Sequence, residues 1–346
     1  MTKASMALLL AGSLALAACA SDEPEAGGSA AGGGGSDDLK IGLAFDTGGR
    51  GDKSFNDSAI AGVEAAVDEL GGEIEELSPN EDGSNRGELL TQLAENGFNP
   101  VIAVGFAYGE LIGDIAAEYP ETQFAIVDTS VADLGVDNLT GLIFAEEQGS
   151  FLAGVAAASK SATNHIGFVG GQESPLIGKF EAGFKAGAEA VKPGITVDVT
   201  YLSPAGDPSG FGDPEGGKVA AQGMYQAGAD IVFHAAGGSG EGVFEAAVEA
   251  GQRAIGVDSD QYLSASPDQQ AVIMTSMLKR VDLAVEEYLS SFADDSLESG
   301  TDILNDLSTE GVALSTSGGF IDDIQDVIDD YRQQIIDGDI EVPTTP

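Results

Sequence analysis

Three carboxylates stand where a folded chain could use them for chemistry. Asp46 follows the apolar run 40–45, Asp128 follows 124–127 and Asp258 follows 254–257. Each run is short and apolar without alternation, the pattern of a buried strand. An acid just after a strand ordinarily caps the next helix. Three at the carboxyl ends of three strands would also converge in a two-lobed fold. Converging carboxylates accept hydrogen bonds from vicinal hydroxyls, each charge-assisted bond contributing roughly 1.5–3 kcal/mol. Phe55 lies in the polar loop 46–59 with no apolar neighbours in sequence. It reads either as a loop residue folded back onto the core or as an aromatic platform at the mouth of a cleft. The loop's glycines permit a sharp turn, and Asp57 or Ser54 can cap the helix after it.

The elements that must position these residues follow one pattern from Leu39 onward. Strand-like runs at 40–45, 73–77, 100–104, 124–127, 165–169, 196–202, 230–233 and 254–257 alternate with helical periodicities at 58–70, 85–96, 109–118, 148–159, 177–191, 216–227 and 242–250. Gly71, Gly97 and Gly251 supply stop signals. Apolar strands each followed by a helix imply parallel sheets covered on both faces. Four strand-helix units and then four more fit an α/β protein of two doubly wound lobes better than one continuous sheet. In such sheets ligands bind beyond the carboxyl ends of the strands, where the three acids lie.

Composition narrows the chemistry. Of 346 residues, 58 are Asp or Glu and 14 are Lys or Arg, a formal net charge of −44. That field repels phosphate backbones, which excludes nucleic-acid binding and disfavours nucleotides. Most of the acids read as a solvated surface suited to solubility or a saline habitat. A single Cys excludes an internal disulfide. Gly212 to Val219 approaches a phosphate-binding loop but has Val219 where a magnesium-binding hydroxyl is required, so it reads as a helix start. His165 and His234 have no nearby ligand partners and give no metal site, and no cofactor or nucleophile motif is present.

The N-terminus reads as an export signal. Lys3, the apolar stretch 7–17 and the small residues before Cys19 form a signal peptide over 1–18, too short in its apolar part to span a bilayer. Leu16-Ala17-Ala18-Cys19 resembles the lipobox of bacterial lipoproteins, which implies a lipid-modified Cys19 and stable membrane attachment through several acyl chains. Residues 19–38, rich in Gly, Ala, Ser and acids, read as a flexible lipidated tether.

Several longer motifs carry a family resemblance. Residues 48–59, Phe144-Ala145-Glu146-Glu147-Gln148-Gly149-Ser150-Phe151-Leu152-Ala153-Gly154, Phe180-Glu181-Ala182-Gly183-Phe184, Ala235-Ala236-Gly237-Gly238-Ser239-Gly240 and Thr275-Ser276-Met277-Leu278-Lys279 occur in the order in which the basic membrane protein family carries them. The chain resembles that family, the PnrA-like substrate-binding lipoproteins of ABC transporters, over nearly all of 39–343.

The resemblance implies a type I periplasmic-binding-protein fold closing on a nucleoside. Asp46 and Thr47 would face the base, Phe55 would stack on it, and Asn56 would hydrogen-bond nearby. Asp128 would stand at the same wall, while Phe180 and Phe211 would close from the second lobe. Gly237 would admit the ligand, and Asp258 and Lys279 would hold ribose hydroxyls, with Lys279 among Asp46, Asp128 and Asp258. Lobe 1 is expected over 39–144 plus about 276–307, and lobe 2 over 145–275 plus about 308–340. The hinge crossings are expected near 145, within 261–276 and within 308–314.

The expected protein is a monomeric, lipid-anchored, extracytoplasmic receptor that delivers a purine nucleoside to an ABC permease without altering it. The same fold could bind a ribose-like monosaccharide. A nucleoside-processing enzyme would also want clustered acids, and a ligand sensor would share the receptor's binding site.

Overall fold

The computed structural model describes residues 39–346. The expected signal peptide 1–18, Cys19 and the tether 19–38 lie outside the described residues.

The first lobe opens with β1 (Lys40–Ala44), α1 (Phe55–Leu70), β2 (Glu73–Leu77), α2 (Arg86–Glu95), β3 (Val101–Ala103), α3 (Gly109–Glu118), β4 (Phe124–Val127) and β5 (Leu139–Phe144). The second holds α4 (Glu146–Lys160), β6 (His165–Gln172), α5 (Pro175–Val191), β7 (Thr196–Ser203), α6 (Pro214–Ala227), β8 (Ile231–Ala235), α7 (Gly240–Ala250) and β9 (Arg253–Asp258). Two helical turns, α8 (Gln261–Ser264) and α9 (Pro267–Gln270), lead to β10 (Ile273–Lys279). The chain then runs through α10 (Val281–Ala293), β11 (Asp302–Asn305), β12 (Val312–Leu314) and α11 (Gln325–Ile336).

Two six-stranded sheets result, ordered β2-β1-β3-β4-β5-β11 and β7-β6-β8-β9-β10-β12. All pairings are parallel except β10 with β12. The shared order makes β4 and β9 equivalent, and it places the strand-order reversal between β1 and β3 and between β6 and β8, where doubly wound folds bind ligands. Central strands β3 and β4 are buried throughout, whereas edge strand β2 spends three of its five positions on glutamates, which keep its outer edge from pairing further.

Four strands exceed the eight legible in the sequence. β11 and β12 are four and three residues long, and β5 and β10 carry Thr140, Thr275 and Ser276 within their apolar runs. β10 stays in the second sheet to its last residue, so the chain leaves it at Arg280 rather than at the expected boundary near 276. The other passages between sheets fall at Ala145, between β5 and α4, and between β11 and β12.

The glycines of two family motifs have a packing reason. A Cβ on Gly154 would lie 2.1 Å from the Phe184 carbonyl oxygen, one on Gly183 2.1 Å from that of Glu147, and one on Gly187 1.9 Å from that of Phe151. These positions let α4 and α5 touch backbone to backbone. In the same way Gly62 seats α10 on α1, since its Cβ would meet the Asp282 carbonyl oxygen at 2.2 Å.

Candidate ligand-binding site

The loop after β1 is held by a closed set of hydrogen bonds. The Asp46 amide donates to Asn56 Oδ1 at 2.9 Å, and Asn56 Nδ2 donates to the Thr47 carbonyl and to Asp52 Oδ2. Asp52 accepts from the backbone amides of Ser54, Asn56 and Asp57, and so caps α1. Neither expected cap does so: Asp57 accepts from Gly51 and Lys53 within the loop, and Ser54 turns its hydroxyl elsewhere. This arrangement sets Phe55 at the first position of α1, half-buried, with its ring facing a cavity between the lobes.

Lys279, at the end of β10, is 1% exposed. Its Nζ lies 2.5 Å from Asp128 Oδ1 and 3.1 Å from Glu146 Oε1, and the other Glu146 oxygen takes Lys179 at 2.9 Å. The rings of Phe144, Phe55 and Phe180 surround the ammonium at 5.0, 5.1 and 5.7 Å from their centroids. Burial alone would push the lysine towards neutrality, but Asp128, Glu146 and Asp258 together hold it well above its usual range. Burial pushes Asp128 up to about 6 against the pull of Lys279, with Glu146 adding to the rise.

Asp258 differs from Asp46 and Asp128 in having no cation at ion-pair distance among the described residues. Its Oδ2 accepts the Ser54 hydroxyl at 2.5 Å. Burial pushes its carboxyl up to about 7, only partly offset by Lys279 and Ser54. Both Asp128 and Asp258 adopt the left-handed conformation, with φ of 71° and 63°. Such backbone is costly for a residue other than glycine, and it aims two equivalent strand-end carboxylates into one cavity.

All ten expected site residues, Asp46, Thr47, Phe55, Asn56, Asp128, Phe180, Phe211, Gly237, Asp258 and Lys279, line this cavity. The expectation that Asp46 shares Lys279 is not met. Asp46 pairs instead with Arg86, Nη2 to Oδ1 at 2.9 Å, and Glu146 takes its place at the lysine. Asn56 spends both amide hydrogens on the loop.

Arg86, Asp52, Glu146 and Phe106 were not singled out from the sequence, and Ser54 only as a helix cap. Asp52 and Glu146 lie inside motifs that could have drawn notice, whereas Arg86 and Phe106 carry no local signal. His234 does not line the cavity. It is buried against Gln261 Oε1 at 3.0 Å, and burial lowers its pKa to about 4.

Chemically, the cavity offers aromatic faces, carboxyl groups and one caged ammonium. A neutral, flat ligand bearing hydroxyls suits it, and a phosphate does not. Comparisons with known proteins bear on the class of ligand. Residues 40–346 match the family model Bmp, described as ABC transporter substrate-binding protein PnrA-like. The chain belongs to the Bmp family.

The relatives cover almost the whole chain. It is 34% identical to the CD4+ T-cell-stimulating antigen of Listeria monocytogenes, with 99% of this chain and 98% of that protein covered. It is 32% identical to the ABC transporter nucleoside-binding protein BmpA of Lactococcus lactis, with 98% and 97% covered. A solute-binding protein of an ABC transporter system from Aeropyrum pernix superposes with a TM-score of 0.77 at 26% identity, over 88% of this chain and 93% of that one. Bmp membership makes this chain a substrate-binding protein of an ABC transporter, and the neighbours confirm the two-lobed periplasmic-binding-protein fold. No helix of the described residues is long and apolar enough to cross a membrane.

Proposed function

We propose that this protein is a lipid-anchored extracytoplasmic receptor that binds a purine nucleoside between its lobes and delivers it unaltered to an ABC permease. The observation that carries the reading is Asp258, a buried carboxylate with a hydroxyl partner but, among the described residues, no cation at ion-pair distance, in a cavity walled by Phe55, Phe106, Phe180 and Phe211. Ribose hydroxyls would supply the donors Asp258 needs, and a base would fill the aromatic slot. The nucleoside-binding relative from Lactococcus lactis supports the same ligand class. Ligand touching both lobes would favour the closed state over the open one.

Calorimetric titration with inosine, guanosine, adenosine and ribose tests the ligand. Inosine or guanosine should bind and displace ribose; silence towards every nucleoside would sink the reading, and preference for ribose would replace it with a sugar receptor. Cys19→Ser should release the protein from the membrane fraction of its producing cells, and persistent association would refute the lipid anchor.

A further inference from the structure

Arg86 begins α2, forty residues from Asp46 in sequence, and does not line the cavity. It is nonetheless 7% exposed, with its guanidinium on Asp46 and Thr47 of the cavity wall. Its Nη2 donates to Asp46 Oδ1 and to Thr47 Oγ1, each at 2.9 Å. The guanidinium lies 5.7 Å from the Tyr108 ring centroid, and Tyr108 donates its hydroxyl to the Phe45 carbonyl at 2.7 Å, bracing the residue before Asp46. Gly83, at φ +68°, leaves room for the guanidinium, since a Cβ there would lie 1.8 Å from Nη1.

These bonds fix the hydrogen-bonding sense of two cavity residues. Asp46 Oδ1 is occupied twice, by the Thr47 amide at 2.7 Å and by Arg86, which leaves Oδ2 as the free acceptor. Thr47 Oγ1 accepts from Arg86, so its own hydrogen points away from the guanidinium and is shared between the Asp46 carboxylate and an acceptor in the cavity. The Arg86 charge also opposes the upward pull of burial on the Asp46 carboxyl.

We infer that Arg86 is a positioning residue that turns Asp46 and Thr47 into a fixed acceptor-donor pair reading the edge of the base. The complement is an edge with a donor beside an acceptor, as in the N1–H and C6=O of a 6-oxopurine or the 6-amino group and N1 of a 6-aminopurine. A purine without a 6-substituent brings no donor to Asp46. This inference rests on the nucleoside reading above.

The test compares dissociation constants for inosine and for unsubstituted purine riboside, which share ribose and ring. The wild type should prefer inosine by about tenfold or more. Arg86→Met should reduce that preference to about threefold or less, because Asp46 and Thr47 lose their fixed sense while the ribose contacts remain. Arg86→Lys, which keeps the charge but not the planar fork, should give an intermediate preference and decides the matter if Arg86→Met does not fold. A wild-type preference near one, or a preference unchanged in a folded variant, overturns the role of Arg86 alone. A wild type that binds neither riboside overturns the nucleoside reading, and this inference with it.

Discussion

Ser54 of the first lobe donates its hydroxyl to Asp258 Oδ2 of the second across 2.5 Å. Two further bonds bring the same loop to the second lobe: Ser259 Oγ donates to the Ser54 carbonyl at 3.0 Å, and Gln261 Nε2 donates to the Lys53 carbonyl at 3.1 Å. Asp258 therefore sits both in the cavity wall and in the contact that holds the cleft shut.

Ligand affinity should depend on pH through Asp258. Its carboxyl is pushed up to about 7 without ligand, and hydroxyl donors from a bound nucleoside would favour the ionised form. Affinity should be full above pH 7 and fall, by up to about tenfold per unit, as pH drops below it. A flat profile between pH 5.5 and 8 by titration calorimetry would contradict this role.

The same group should oppose folding at alkaline pH. A carboxyl whose folded pKa lies above its unfolded value binds protons preferentially in the folded state, so its destabilising effect is absent below the unfolded value, builds up above it and is complete once pH has risen through 7. Asp258→Asn, which tolerates the left-handed backbone, should raise the Tm of the unliganded protein by a few °C at pH 8 and hardly at pH 4. Its nucleoside affinity should fall by about tenfold. An unchanged Tm at both pH values would show that the buried charge costs nothing.

Lys279→Met should be among the most damaging single changes, because it strips Asp128 and Glu146 of their shared cation in a buried site. A loss of about 3–5 kcal/mol is expected in urea denaturation. Adding Asp128→Asn should recover part of it, and a second change that deepens the loss additively would argue against the pair.

Phe55→Ala should weaken nucleoside binding by about tenfold or more with the fold retained, since a stacked base is worth about 1–3 kcal/mol. Equal affinity in the variant would assign the ring to packing alone.

Ser259→Ala removes one bond between the lobes without touching the cavity lining. Ligand release in stopped-flow should quicken by about two- to tenfold, the worth of one hydrogen bond. An unchanged release rate would mean that closure rests on the ligand alone.

The repeated strand-helix order was legible because parallel strands buried on both faces are apolar without alternation, and some helices end at glycines such as Gly71 and Gly251. Asp46, Asp128 and Asp258 could be picked out because each directly follows such a run. Their partners could not. Arg86 reaches Asp46 over forty residues, and Lys279 reaches Asp128 across the lobes. β11 and β12 were hidden for a related reason: strands of four and three residues have no periodicity to read, and they exist because β5 and β10 offer them an edge.

The sequence by itself thus determined the architecture, the motif glycines and the residue types available at the strand ends, since these follow from local propensity and apolar pattern. Only the tertiary structure decided that Asp46 and Asp128 are matched by a cation and that Asp258 has none at ion-pair distance among the described residues. The energy of a buried charge depends on what surrounds it in space, and that environment is assembled from segments remote in sequence.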